Sequence, residues 1–288
     1  MRALILGAGG QVGRALAETV PASAQAIALG HAECDVRSAR DVERAISHAG
    51  PDIVFNAAAF TAVDRAETEP EEAAAINAVA PGIIAQAARA AGARIVHIST
   101  DYVFDGEARR PYRPEDPPNP RSVYGRTKLA GEAAVSEADP GALVVRTSWI
   151  YASRGTNFVT TMLRLMGERE RLQVVCDQEG APTRAQSLAA ALWTLAGAGA
   201  SGLFHYRDGG TANWHQFATA IQEQALGLGL LRKAVPIEPI ATASYPTAAP
   251  RPAYSVLDAT HAWEIIGGPP PDWRDNLLRT LEDIREGG

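Results

Sequence analysis

Arg2-Ala3-Leu4-Ile5-Leu6-Gly7-Ala8-Gly9-Gly10-Gln11-Val12-Gly13 is an apolar run that stops at a cluster of glycines. Five residues of that kind read as a short buried strand, and the stretch after Gln11 reads as the start of a helix. The glycines fit Gly-x-x-Gly-x-x-Gly at positions 7, 10 and 13, and not Gly-x-Gly-x-x-Gly, because residue 12 is valine. Glycine permits a positive φ at the turn and lets backbone come close to a pyrophosphate. The helix behind it offers free N–H groups and a partial positive charge to phosphate, and Gly13 allows helix and strand to pack tightly. A tight strand–helix turn without a ligand would use the same glycines, but the place of the loop in the first βα unit favours a dinucleotide site.

The same rhythm continues outward. Apolar runs at 2–6, 24–29, 52–56, 94–99 and 142–147 alternate with helical patterns at 12–20, 39–49, 71–91 and 122–137. Near-continuous apolar strands separated by helices predict a parallel sheet covered on both faces. The expected fold class is therefore α/β, a Rossmann-like doubly wound sheet. Beyond Thr147 the alternation loosens. Helices are expected near 158–168, 185–195 and 214–226 and short strands near 172–175 and 203–206, with prolines concentrated at 236–252 and 269–271. Residues 1–150 are expected to form the dinucleotide-binding domain. Residues 151–288 would form mainly a smaller substrate-binding lobe, with some segments returning to the core.

Composition narrows the function classes. Of 288 residues 46% are hydrophobic and 21% charged, enough for a buried core, and the net charge of −6 comes without a basic run, which argues against nucleic acid. The Ala-rich stretch 185–200 is too short and too interrupted to span a bilayer, so no membrane partner is expected. The apolar start reads as a strand rather than a signal peptide. Cys34 and Cys176 lie far apart without metal-type spacing, which fits a reducing cytoplasm.

Chemistry gathers after the fourth apolar run, in Ser99-Thr100-Asp101-Tyr102-Val103-Phe104-Asp105-Gly106 and Tyr124-Gly125-Arg126-Thr127-Lys128. Thr100 falls at the carboxyl edge of the sheet, where open α/β folds bind ligands. Asn119-Pro120 reads as the cap and first-turn proline of the next helix. Residues four apart share one face of that helix, so Lys128 can sit beside Tyr124. A nearby cation favours the phenolate over a phenol of pKa about 10, and a shift of roughly 2–3 units is about 3–4 kcal/mol of differential stabilisation. The arrangement suits ketone reduction: Tyr124 as proton donor, Lys128 tuning it and holding the nicotinamide ribose, Thr100 orienting the carbonyl oxygen. A lone Tyr-x-x-x-Lys is usually only a solvated helix face; here it comes with the glycine loop and the Ser-Thr turn. Cys34-Asp35-Val36 follows the second strand and can meet the adenine, and the small side chains of 56–59 leave room for a cofactor, or else simply pack helix on sheet. Leu29-Gly30-His31 stands where an acid or arginine usually reads the ribose 2′ position, so NADH and NADPH both stay open as cofactor.

These residues resemble the extended short-chain dehydrogenase/reductases, and within them the dTDP-4-dehydrorhamnose reductases. The resemblance spans nearly the whole chain. It rests on Gly-Gln-Val-Gly at 10–13, Asn-Ala-Ala-Ala-Phe-Thr-Ala-Val-Asp at 56–64, the two segments at 99–106 and 124–132, and Arg-Thr-Ser-Trp-Ile-Tyr at 146–151. Asp-Gln-Glu-Gly-Ala-Pro-Thr at 177–183, Thr-Ala-Asn-Trp-His at 211–215 and Ser-Tyr-Pro-Thr at 244–247 extend it. The resemblance implies reduction of dTDP-4-dehydro-L-rhamnose to dTDP-L-rhamnose by NADPH or NADH, with the dTDP-sugar as the partner molecule. It places Gly7, Gly10, Gln11, Val12, Asp35, Val36, Ala58, Ala59, Phe60, Thr61, Ser99, Tyr124 and Lys128 at the cofactor. Val63, Thr100, Asp101, Tyr102 and Trp149 would lie at the sugar, and Asn157, Gln178 and Arg184 toward the nucleotide. His205 reads as a packed strand histidine, and Glu67, Glu69, Glu71 and Glu72 as a solvated helix start.

One departure concerns Mg²⁺. Some members of the group dimerise around that ion through glutamates, one of them on the first helix. Ala15 stands at the matching position here, and 185–195 contains no acid. Hard cations need oxygen ligands, so no metal-bridged dimer is expected, and the chain reads as a monomer or weak homodimer. Two rivals share the motifs: a nucleotide-sugar 4-epimerase or other 4-ketoreductase, and a non-catalytic subunit resembling the regulatory β subunit of methionine adenosyltransferase.

Overall fold

The computed structural model describes residues 1–287. β1 (Arg2–Leu6) passes through the glycine loop into α1 (Gln11–Glu18), and β2 (Gln25–Leu29), α2 (Ala39–Ala49) and β3 (Ile53–Asn56) follow. Two short helices, α3 (Val63–Ala66) and α4 (Pro70–Ala74), lead through a π-helical turn at Ala75–Val79 into α5 (Ala80–Ala90). β4 (Arg94–Thr100), a 3₁₀ turn at Asp101–Val103, α6 (Val123–Ala138) and β5 (Leu143–Thr147) complete the regular part. Next come β6 (Ile150–Tyr151), α7 (Phe158–Glu168), β7 (Leu172–Val175), β8 (Glu179–Gly180), β9 (Thr183–Arg184), α8 (Ala185–Gly197) and β10 (Gly202–His205). The chain closes with β11 (Ala212–Asn213), α9 (Trp214–Gly227), β12 (Ile237–Ile240), α10 (Thr260–Ile266) and α11 (Trp273–Gly287).

Six parallel strands form the central sheet in the order β10-β5-β4-β3-β1-β2. The period of two along each strand divides the core. Ala3, Ile5, Ile53, Phe55, Val96, Leu143 and Val145 face one way, onto α1, α8 and α10. Leu4, Leu6, Val54, Ile95 and Val144 face the other, onto α2, α5 and α6. The sheet is thus apolar on both sides, as a doubly wound sheet must be. A third apolar cluster lies apart from the sheet. It is built by Tyr151, Met162, Met166, Phe217, Ile221, Trp273 and Leu277 on β6, α7, α9 and α11.

Between β1 and β3 the strand order reverses, with β2 outside β1 and β4 beyond β3. Such a switch opens a crevice at the carboxyl ends of the two strands. Both walls are backbone here: a side chain at Gly7 (φ 85°) would have its Cβ 2.5 Å from Ala58 N, and one at Gly13 would meet Gly7 O at 2.2 Å.

Two local expectations are corrected. The helix at 71–91 is not uniform, because the π turn interrupts it. Asn77 within that turn is buried, takes a hydrogen bond from Phe60 N (2.8 Å) and gives one to Phe60 O (3.0 Å). Its own carbonyl lies against α6, where a Cβ on Gly131 would be 2.1 Å away. The cap of α6 is Ser122, whose Oγ accepts from Gly125 N (3.1 Å), and not Asn119-Pro120. Asn119 instead donates from its backbone to Val103 O and from Nδ2 to Asp105 Oδ2 (3.1 Å), so it shapes the loop after β4.

Candidate active site

The end of β4 and the first turn of α6 are pressed together by a glycine. A Cβ at Gly125 would lie 2.2 Å from Tyr102 O, so only glycine allows this approach. The contact brings Tyr124 beside the 3₁₀ turn, its ring edge-on to Tyr102 at 5.5 Å between centroids. Thr100 Oγ1 accepts from Tyr102 N (3.2 Å) and donates to Asp101 Oδ1 (3.0 Å). Asp101 is buried, with the hydroxyls of Thr100 and the buried Ser255 facing its carboxyl. Burial pushes its carboxyl up to about 6.

Tyr124 is half-buried as a residue, with its phenol end in the shielded part. Burial pushes that phenol up to about 12, the Thr100 hydroxyl opposing and the Asp101 carboxylate adding. The expected lowering by Lys128 is not what the resting geometry gives. Lys128 is 2% exposed and turned beneath the sheet edge, where Nζ donates to Ile98 O (2.6 Å) and lies 3.5 Å from His97 Nε2. Burial pulls its ammonium down to about 8, with Glu132 opposing. The i, i+4 spacing puts both residues on one helix face, but the long lysine side chain has an inward carbonyl within reach and takes it.

Ser99 also turns away from the cleft. Its Oγ donates to Glu132 Oε1 (2.5 Å), and Glu132 takes two further bonds from Arg146 (2.9 and 2.7 Å), a buried pair that ties β4, α6 and β5 together. At the strand switch Gly7 packs against the backbone of Ala57 and Ala58, so the glycine loop and the segment after β3 face each other. Phe60 within that segment is buried against Ala66, Ala73 and Tyr124, with Thr61 exposed. Val36 is buried in the sheet core, and Asp35 is held down to about 2 by Arg37, which it binds through both carboxylate oxygens. Arg37 reaches Glu72 as well (2.8 Å).

A cavity of about 950 Å³ opens beside Tyr102, between the sheet edge and the third apolar cluster. Asp64, Phe158, Gln178, Trp214, Tyr245 and Arg251 are among its walls. Trp149 lies one ring behind: it stacks flat on Trp214 at 3.5 Å, its other face against Gly180. It is the one non-glycine residue with positive φ (47°) among the described residues. Val63 opens α3, next to Asp64. Gln178 takes a bond from Trp214 Nε1 (3.2 Å) at the cavity wall, but Asn157 and Arg184 point elsewhere. Asn157 caps α7, and Arg184 pairs with Asp283 (2.6 Å). Glu67 is not merely solvated, since its Oε1 accepts from Val123 N (2.7 Å) at the start of α6. His205 is buried against Phe104, donates from Nδ1 to Tyr112 O (3.0 Å), and is pulled down to about 3 by burial.

Phe158, Trp214, Asp64, Arg251 and His97 were not read from the sequence. Asp64, Phe158 and Trp214 lie within the segments that carry the family resemblance, at 56–64, 157–158 and 211–215, but without a site role of their own; His97 in an apolar strand carries no signal that separates it from core.

The residues at the strand switch fit a dinucleotide. Nothing within 4 Å would obstruct a Cβ on Gly9, and α1 has no side-chain cap and no acid in its first turn, leaving its amides uncovered by the chain itself. Gln11 Oε1 is buried without a partner among the described residues. Orphaned donors at a helix start are an anion site.

Comparison with known proteins finds relatives along the whole chain. A family model described as the RmlD substrate binding domain matches residues 1–286. The dTDP-4-dehydrorhamnose reductase of Burkholderia thailandensis is 44% identical, with 99% of each chain covered. A crystal structure of a dTDP-4-dehydrorhamnose reductase from Clostridium acetobutylicum superposes with a TM-score of 0.93 at 36% identity, covering 99% of this chain and all of that one. One from Bacillus anthracis, in complex with NADP, gives 0.92 at 34% identity over 98% and 99%. By these matches along its length, the chain belongs to the dTDP-4-dehydrorhamnose reductase family.

Proposed function

We propose that this NAD(P)H-dependent oxidoreductase reduces the 4-keto group of dTDP-4-dehydro-L-rhamnose to dTDP-L-rhamnose, with Tyr124 as proton donor. The observation that carries the reading is the convergence of the Thr100 hydroxyl, the Asp101 carboxyl and the Tyr124 phenol at one sheet edge, between the crevice and the cavity. The amides of Gln11 and Val12 would hold the pyrophosphate, with Gly10, whose own N–H is taken by Gly7 O (3.0 Å), allowing the close approach; Asp35 and Val36 would meet the adenosine, and Ala58 to Thr61 would line the nicotinamide side. When bound, that cofactor supplies a hydride to the carbonyl carbon.

The chain does the rest. When substrate binds, the Thr100 hydroxyl turns its one hydrogen from Asp101 Oδ1 to the carbonyl oxygen and fixes its direction. Tyr124 gives up its phenol proton as charge develops on that oxygen; a phenol held above its ordinary value is fully protonated at neutral pH, the form a reductase needs at the start of the cycle. Asp101 accepts from a sugar hydroxyl, and Tyr102 lines the approach from the cavity. Tyr124→Phe is expected to bind NADPH normally and to lose about 10²–10⁴-fold in turnover. Assay with dTDP-4-dehydrorhamnose, with product stereochemistry read by NMR, checks both statements, and near-normal turnover rejects Tyr124 as the donor.

A further inference from the structure

His97 occupies β4 directly opposite Asn56 of β3, and both side chains are buried. The Asn56 amide is oriented by its neighbour: Ala58 N donates to Oδ1 (3.2 Å), which leaves Nδ2 to face the ring, 3.1 Å from His97 Nδ1. An amide nitrogen can only donate, so Nδ1 must offer a lone pair. A neutral imidazole has one N–H, and it is therefore on Nε2. An imidazolium would oppose two donors here, and burial drives the ring well below its ordinary value.

Nε2–H then points at Lys128 Nζ, 3.5 Å away. An ammonium has three hydrogens and no lone pair, so it would meet this N–H donor against donor. A neutral amine satisfies both neighbours, accepting from Nε2–H and donating to Ile98 O at 2.6 Å. Tyr124 and Glu132 lie on the same helix as Lys128, with Arg146 of β5 behind Glu132. The Glu132 oxygens are taken by Arg146 and Ser99, so no carboxylate compensates the ammonium by direct contact. We propose that His97 is a positioning residue, locked as the Nε2–H tautomer by Asn56, that holds Lys128 in its resting place and there favours the neutral amine over the ammonium. Leaving that place restores the full cation. For its consequence in turnover this rests on the reductase reading above; the proton inventory does not.

The sequence suits a direct test, because Lys128 and Lys233 are its only lysines. Ligand-free protein labelled with ¹⁵N-histidine and ¹³C-lysine is titrated by NMR, with Lys233 as internal reference and His97→Gln as the assigning variant. Expected are a protonated Nε2 with a bare Nδ1 on His97, and a Lys128 midpoint well below that of Lys233. In His97→Gln, whose amide oxygen can accept from an ammonium, that midpoint rises by at least about one unit. A second variant, Asn56→Asp, supplies an acceptor to Nδ1 and should move the His97 proton there. A bare Nε2 in the wild type, equal lysine midpoints, or a Lys128 midpoint indifferent to His97→Gln would each overturn the proposal. These spectra need no turnover, so a missing reductase activity and a missing tautomer lock are told apart.

Discussion

Asp101 shows how a single burial sets a pH dependence. Its carboxyl, ordinarily near 3.8, is pushed up to about 6 in the fold. The folded protein therefore keeps this proton to higher pH than the unfolded chain does. The stabilisation is present below about pH 4 and is lost as pH rises through about 6. Asp101→Asn has no such proton, so wild-type stability measured against this variant should fall by up to about 3 kcal/mol between pH 4 and 7. Parallel urea titrations read the difference, and a constant offset would show that Asp101 is not displaced. Glu33 bears on cofactor choice, which its sequence context left open. Its carboxylate folds back to accept from Gly30 N (2.8 Å) at the end of β2, while the nearby Arg37 is engaged by Asp35 and Glu72. An acid there suits a ribose 2′-hydroxyl and repels a 2′-phosphate. Glu33→Gln is expected to raise the NADPH-to-NADH ratio of kcat/KM by up to about tenfold, and an unmoved ratio removes Glu33 from the choice.

Among the elements, α6 is where sequence and packing meet most closely. Tyr124 and Lys128 announce themselves by spacing, but what sets them against β4 is Gly125, which the spacing does not mention. Gly125→Ala must push the first turn away from Tyr102 O; the expected cost is about 1–3 kcal/mol in stability, with a larger fractional loss in kcat than Ser122→Ala causes. Comparing kcat and denaturation midpoints of the two variants tests this. Elements governed by one simple period were readable from the chain: the five strands of 1–147 and the helices between them follow from apolar runs and 3.6-residue stripes. The π turn was not, because it is decided by Asn77 finding Phe60 and Gly131, partners far off in sequence. Nor was the inward turn of Lys128, which depends on the carbonyl of Ile98 rather than on any residue type. α11 is a different case. Trp273, Leu277, Leu281 and Ile284 form a regular stripe, yet the expected helices end at 226 and leave it out.

At the scale of the whole molecule, the doubly wound half could be read because neighbours in sequence are neighbours in space, whereas the third cluster draws on segments from 151 to 284 whose meeting no local pattern encodes. Ala15 and α8 carry no carboxylate, the ground on which no metal-bridged dimer is expected. EDTA dialysis is accordingly expected to leave kcat and sedimentation behaviour unchanged, and a reversible loss restored by Mg²⁺ would refute it. The stack of Trp149 on Trp214 joins these two halves, since Trp149 follows β5 of the sheet and Trp214 opens α9 of the separate cluster. Two indoles held parallel at 3.5 Å do not absorb light independently; their transitions couple, and the coupling is lost if the rings part. With one partner in the cavity wall, the protein carries an intrinsic optical gauge of how its halves sit together, readable without a label and lost on replacing either tryptophan by phenylalanine.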